Sequence, residues 1–181
     1  MPLLPLDLAG AAGGTLCGVP DHVDHVLQQW ADARPDLDVS PMAVFGRLSR
    51  LTQLVNTELR RTFAGHDLDP SSFDVLATLR RGGRQTPAEL MRSAMVTSGA
   101  VTQRLDRLEA RGLVRRTPSD VDGRGVHVDL TDAGRELIDR ALPDHVDTER
   151  RLLAGLTSAQ RENLAEILRQ LLMSLGDERA S

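Results

Sequence analysis

The sequence predicts a mainly α protein with a small β-hairpin wing, and three observations support this fold class. Aromatic residues make up only 2% of the 181 residues, so the core must consist of Leu, Val, Ile and Ala. Together with a charged fraction of 27%, this composition favours helices. Apolar residues recur at helical spacing along most of the chain, and the pattern changes only within residues 112–130.

Helix starts are marked by capping residues, which stand before proline, three residues before Glu or Gln, or, for Thr131, before Asp132. The candidate caps are Ser40, Asp69, Thr86, Thr131 and Thr157. They predict helices over 21–34, 41–64, 70–81, 87–93, 97–111, 131–154 and 158–175. The helices 41–64 and 158–175 have long apolar faces, and a second copy of the chain is the simplest partner for them.

The predicted organisation is a flexible leader over 1–19, an extra N-terminal helix over 20–38, and a winged-helix DNA-binding and dimerisation domain over 39–181. The leader lacks a basic start, and no run is apolar enough to span a bilayer, so we expect a cytoplasmic protein. Cys17 is the only cysteine, which excludes an internal disulfide. A redox role for Cys17 is a weaker alternative, because no Arg lies near it in sequence.

Three short helices followed by a hairpin form the outline of a winged helix-turn-helix. Residues 87–93 are the predicted positioning helix and residues 95–97 the turn. The next helix begins with small and polar residues, as a helix that enters a DNA groove does, and Leu105 and Leu108 are expected to hold it to the core. Residues 113–130 then form the hairpin, with turn residues at 118–125.

Basic charge is concentrated in this region. The chain has a net charge of -4 and no Lys, yet residues 80–124 hold ten Arg against five acidic residues. Such clustering favours contact with a phosphate backbone, although a solvated Arg-rich face is the alternative. Arg124, at the hairpin tip, can enter a minor groove or remain a solvated turn residue. The predicted DNA contacts are Thr97, Ser98, Gly99, Thr102, Gln103, Arg107 and Arg124.

Two motifs resemble the MarR family. Residues 98–116 read SGAVTQRLDRLEARGLVRR, and the wing carries DVDGR at 120–124 and VDLTDAGR at 128–135. The resemblance spans about residues 40–175. It implies a homodimeric repressor of MarR-like winged-helix fold, joined through its terminal helices, with double-stranded DNA of pseudo-palindromic sequence as its partner. Gly123 and Gly125 depart from the commonest wing pattern, so contacts from these two positions are not carried over.

A narrower resemblance is to the urate-responsive branch of this family, typified by HucR and PecS. That branch has a tryptophan on an extra N-terminal helix, an Asp after an aromatic residue, and two arginines. These positions match Trp30, Asp74, Arg104 and Arg116, and the resemblance implies that they bind urate. Urate is a flat anion, which an indole can stack on and a guanidinium can pair with. Because Arg104 lies on the predicted recognition helix, binding there would be coupled to DNA release.

Each effector residue also has a structural alternative. Trp30 can fill a dimer interface, Asp74 can form a structural ion pair, and Arg104 and Arg116 can contact phosphates only. Two arginines in one pocket also suit a phenolic acid or a tricarboxylate such as citrate. An effector-free DNA-binding dimer is the remaining alternative.

The sequence indicates no enzyme, cofactor or metal site. It contains no phosphate-binding loop, nucleophile elbow or dinucleotide fingerprint. His22 and His25 share a helix face, but a metal ion needs three or four ligands and nothing else clusters with them. His66, His127 and His145 are expected to be isolated.

Overall fold

The computed structural model describes residues 19–93, 101–118 and 125–177. Its elements are α1 (His22–Ala33), α2 (Ser40–Ala64), α3 (Pro70–Gly82), α4 (Pro87–Ser93), α5 (Val101–Ala110), β1 (Val114–Pro118), β2 (Val126–Leu130), α6 (Asp132–Leu152) and α7 (Ser158–Ser174). The mainly α fold with a small hairpin is confirmed. The predicted leader up to residue 18 and the predicted helix start at 97–100 lie outside the described residues. None of the described helices is long and apolar enough to cross a bilayer.

The chain divides into two compact units, and the division falls after Leu54, inside α2. In the first unit, the side chain of Asp21 caps α1 by accepting hydrogen bonds from the amides of Val23 and Asp24. Arg47 on α2 pairs with Asp21 (2.9 Å) and with Asp24 (2.6 Å). The acidic residues beside His22 therefore cap a helix and bind an arginine. The sequence pattern did not indicate this role.

The second unit has a core of mainly aliphatic side chains from α3, α4, α5, the hairpin and α6, together with the rings of Phe63 and Phe73. Leu105 and Leu108 are fully buried, which confirms that they hold α5 to the core. The other fully buried apolar side chains include Leu76, Leu79, Leu90, Val128 and Ile138. Two leucines three residues apart, Leu105 and Leu108, thus set which side of α5 packs against the core.

Four of the five predicted helix caps are confirmed. Asp69, Thr131 and Thr157 are N-caps of α3, α6 and α7. Thr86 and Glu89 exchange hydrogen bonds at the start of α4, as a capping box does. The prediction for Ser40 is wrong, since α2 begins at Ser40 itself. The carboxylate of Asp38 accepts a hydrogen bond from the Ser40 amide (2.9 Å) and so starts the helix one residue earlier.

The hairpin is antiparallel, in a register that pairs Val114 with Leu130 and Pro118 with Val126. Gln85, between α3 and α4, adds an isolated bridge to the middle of β2. Its amide donates to the Val128 carbonyl (3.0 Å), and the Val128 amide donates to the Gln85 carbonyl (2.7 Å). This bridge attaches the wing to the segment before α4. A one-residue strand has no periodicity, so the sequence did not predict it.

The end of α5 and the start of α6 meet at one tight junction. Gly112 ends α5 with a φ of +68°, which favours glycine. The Thr131 hydroxyl donates to the Gly112 carbonyl (2.6 Å), and the Thr131 amide donates to the Leu113 carbonyl (3.1 Å). A Cβ at Gly134 would lie 1.9 Å from the Leu113 carbonyl oxygen. Only glycine allows this approach.

Two histidines contact side chains of other elements. His66 Nε2 lies 2.7 Å from Asp144 Oδ2. His145 packs against the rings of Phe63 and Phe73, which stack with centroids 4.2 Å apart. Sequence periodicity does not reveal such contacts, because the partners are distant in the chain.

Beside these histidines, Pro143 lies inside α6. Proline has no amide hydrogen, so it cannot donate to the carbonyl of Asp139 as another residue would at this point of the helix. A hydroxyl pair, Thr62 with Thr148 (2.8 Å), joins α2 to α6 one turn beyond the proline. The helix is therefore continued past Pro143 with one backbone hydrogen bond fewer.

Replacing Gly134 with alanine should lower the free energy of unfolding by about 2 kcal/mol or more, because the methyl group would displace the Leu113 carbonyl. Chemical denaturation checks this. Gly155→Ala is the matched control, since a Cβ at Gly155 meets no atom within 4 Å. Equal stability of the two variants would contradict the close approach.

Replacing Asp69 with alanine should cost about 1 kcal/mol at neutral pH through loss of the α3 cap. Partial burial raises the pKa of the Asp69 carboxyl, but hydrogen bonds from Ser72 and Ser71 and the charge of Arg104 hold that pKa below its usual value. A carboxyl whose folded pKa is lowered stabilises the fold above about pH 4 and loses this effect as the pH falls.

The stability difference between wild type and Asp69→Ala should accordingly shrink in denaturation measured at pH 3. Asp69→Asn provides the control, because an amide caps the helix without titrating. A difference that is the same at pH 3 and pH 7 would rule out the ionised cap.

Candidate nucleic-acid interface

The helix α5 has a buried face and an exposed face. Leu105 and Leu108 are buried, while Thr102, Gln103 and Arg107 are exposed. Arg107 makes no hydrogen bond or ion pair with any described residue, so its guanidinium is open to an external anion. The polar face of α5 can therefore offer hydroxyl, amide and guanidinium groups to base edges and phosphates.

Part of the basic charge counted in the sequence is neutralised within the fold. Several arginines of residues 80–118 form ion pairs with acidic residues: Arg80 with Asp139 (2.7 Å), Arg111 with Asp67 (2.9 Å) and Arg115 with Asp129 (3.3 Å). The Arg84 guanidinium donates to the Pro118 carbonyl (3.3 Å) at the end of β1. The surface that can attract phosphates is accordingly narrower than the sequence count of ten arginines indicated.

Arg116 on β1 is held by two carboxylates of α5. Its Nη2 lies 2.7 Å from Asp106 Oδ1 and its Nη1 lies 2.8 Å from Glu109 Oε2. The Arg116 amide also donates to Glu109 (3.1 Å), and Nη2 lies 3.5 Å from the Thr102 carbonyl. The side chain is 26% exposed. Acidic residues three apart on α5 were the available sequence signal for these contacts, which sequence analysis missed.

Arg104 is partly buried on α5. Its Nη1 is buried and has no hydrogen-bond partner among the described residues. Its charge contributes to the low pKa of Asp69, so the guanidinium lies near the N-terminus of α3. A buried donor on a cation is costly to leave unsatisfied, and an anion would satisfy it.

The other two predicted effector residues lie on different elements. Asp74 is partly buried on α3 and has an interaction of its own, and the preceding Phe73 is buried in the core. Trp30 lies on α1 in the first unit and is 41% exposed. Within the second unit, Arg104 thus lies on α5 and Asp74 lies on α3. Arg116 lies on β1, and its side chain contacts α5.

Several predicted positions lie outside the described residues. They are Cys17 and the DNA-contact candidates Thr97, Ser98, Gly99 and Arg124. The described residues contain no group of three or more His, Cys, Asp or Glu side chains placed to hold a metal ion.

Comparisons with known proteins identify relatives of this chain. The MarR family matches residues 66–125. The chain is 40% identical to the HTH-type transcriptional regulator PecS of Dickeya dadantii over 149 residues, which is 81% of this chain and 90% of PecS.

Two solved structures are similar as well. A mutant MarR from E. coli in complex with operator DNA has a TM-score of 0.67 and 29% identity, covering 75% of this chain and 96% of that one. BpsR of Bordetella bronchiseptica, whose DNA binding is regulated by 6-hydroxynicotinic acid, has a TM-score of 0.65 and 26% identity, covering 71% and 98%.

The two solved structures share the winged-helix fold of this chain. These relatives are transcriptional regulators and not enzymes. A relative with 40% identity over four fifths of the chain, together with the matching winged-helix fold, leads to one conclusion. The chain belongs to the MarR family of DNA-binding transcriptional regulators.

Proposed function

We propose that the protein is a repressor that binds a pseudo-palindromic operator as a homodimer and is released by a small anion, with urate as the best candidate. One observation carries the proposal. The helix α5 exposes Arg107 on its polar face and also carries Arg104, whose buried Nη1 has no partner among the described residues. An anion bound by Arg104 would therefore act on the helix that reads DNA.

On the DNA side, Thr102 and Gln103 are proposed to contact base edges in the major groove, and Arg107 a phosphate. Ser98, Gly99 and Thr102 would let the backbone approach the groove floor, and Thr97 is proposed as a further DNA contact. Arg124 at the wing tip would enter the minor groove. The complex of a MarR relative with operator DNA supports DNA binding by this fold.

The homodimer proposal is supported by apolar side chains exposed on the last two helices. Ile167, Leu172 and Leu175 are at least half exposed on and just after α7, and Leu142 and Val146 are about two fifths exposed on α6. Exposed apolar residues clustered on terminal helices favour burial against a second copy of the chain.

The effector proposal rests on Arg104, Arg116, Asp74 and Trp30. A planar anion would satisfy Arg104 and compete with Asp106 and Glu109 for Arg116. Its charge would repel the Asp74 carboxylate and displace it. Trp30 is included on the resemblance to the urate-responsive branch alone, and the similarity to PecS supports that branch.

A phenolic or aromatic acid is the second candidate effector. The observation that favours it is the likeness to BpsR, which responds to 6-hydroxynicotinic acid. Its carboxylate would bind the same guanidinium groups as urate, and so would a tricarboxylate such as citrate.

Arg107→Gln should weaken DNA binding and reduce the slope of log K against log salt by about 0.9, because one phosphate contact is lost. Fluorescence anisotropy at several salt concentrations measures this on a duplex that the wild-type protein selects from a random-sequence pool. Arg140→Gln is the matched control, since Arg140 is exposed on α6 and the charge change is the same. An unchanged slope for Arg107→Gln would exclude the phosphate contact.

Urate added to the protein–DNA complex should lower the anisotropy at micromolar to millimolar concentration. Arg104→Gln should retain DNA binding and lose at least about tenfold in the urate response, since a charge-assisted contact is removed. The Arg140→Gln variant should respond as the wild type does.

The result distinguishes the candidate effectors. If urate does not release the DNA but 6-hydroxynicotinic acid or citrate does in the same assay, that anion would replace urate as the proposed effector. No release by any of them would leave an effector-free DNA-binding dimer.

A further inference from the structure

We propose that Arg116 is a positioning residue for DNA binding, which clamps α5 against β1 through Asp106 and Glu109. The proposal rests on the proposed function in one respect, that α5 is the helix that reads DNA. Under this proposal, operator recognition also depends on Asp106 and Glu109, two acidic residues of α5.

The clamp contacts successive turns of α5 with one side chain. The Arg116 guanidinium reaches Asp106 (2.7 Å), Glu109 (2.8 Å) and the carbonyl of Thr102 (3.5 Å). These residues lie three and four apart, so they share one face of the helix. A rigid planar cation that contacts this face at two turns restricts both rotation and tilt of α5 relative to the strand.

A backbone contact strengthens the arrangement. The Arg116 amide donates to Glu109 Oε1 (3.1 Å) while the guanidinium binds Glu109 Oε2. The Glu109 carboxylate is thus held by the strand at both oxygens, and its position does not depend on the flexible arginine side chain alone. One exposed ion pair contributes little, but groups that share one partly buried cation act together.

Long-range electrostatics would not favour these acids on a DNA-reading helix. With Arg116, the two carboxylates form a cluster of net charge -1, which repels phosphates. If charge alone mattered, neutralising Asp106 and Glu109 would strengthen DNA binding. If the clamp positions the helix, neutralising them weakens binding to the selected sequence. The two explanations predict opposite signs.

The test uses the full chain and two duplexes, one selected by the wild type from a random pool and one with the same composition in scrambled order. The double variant Asp106→Asn/Glu109→Gln should bind the selected duplex at least about fivefold more weakly, while its affinity for the scrambled duplex stays equal or rises. Glu136→Gln/Glu162→Gln is the matched control. It changes the charge equally at exposed sites on α6 and α7 and should keep the wild-type ratio of affinities.

A third variant, Arg116→Gln, checks that the groups act as one unit. Alone it should lose a similar factor on the selected duplex, and combined with the double variant it should lose no more. Losses that add, or a double variant that binds the selected duplex as tightly as the wild type, would overturn the clamp. Equal losses on both duplexes with a lower melting temperature would assign a structural role only. A wild type that enriches no sequence would overturn the proposed function and the clamp together.

Discussion

The approach of Gly134 to the Leu113 carbonyl is the contact on which the arrangement of the second unit depends. It lets the first turn of α6 lie against the residue that follows α5, with the Thr131 hydroxyl hydrogen-bonded to Gly112. The hairpin leaves this junction at Val114 and returns to it at Leu130. The helix α5, the hairpin and α6 therefore meet at one point, and a side chain at position 134 would push α6 away from it.

Charge within the second unit has two uses. Some arginines hold elements together, as Arg80 and Arg111 do, and Arg107 faces outward without a partner among the described residues. Arg116 belongs to the first group, since its guanidinium is bound by Asp106 and Glu109, but it is also one of the proposed effector residues. If Arg116 binds an anionic effector as proposed, the effector would have to displace two carboxylates, so its net affinity would reflect the difference between two sets of ion pairs. Such a site would respond to small differences in anion geometry.

Local signals predicted the secondary structure well because capping and apolar periodicity act within a few residues. Asp69 and Thr157, for example, start their helices where the sequence indicated. Contacts between residues that are distant in sequence were not predicted, because no periodic pattern indicates them. Examples are the bridge from Gln85 to β2 and the pair of His66 and Asp144. The effector residues were assigned by resemblance. The structure adds the surroundings of these side chains, such as the buried Nη1 of Arg104, which has no hydrogen-bond partner among the described residues.

Pro143 has a mechanical consequence for α6. A helix resists bending because bending stretches its backbone hydrogen bonds, and the turn closed by Pro143 has one fewer to stretch. The part of α6 before the proline is joined to α3 through Asp139 and Arg80, and the part after it is joined to the end of α2 through Thr148 and Thr62. If α3 moved relative to the end of α2, the resulting bend in α6 would be concentrated at this turn. We therefore expect α6 to bend most easily at this turn, so that the part before Pro143 can change its angle while the part after it keeps its contact with α2.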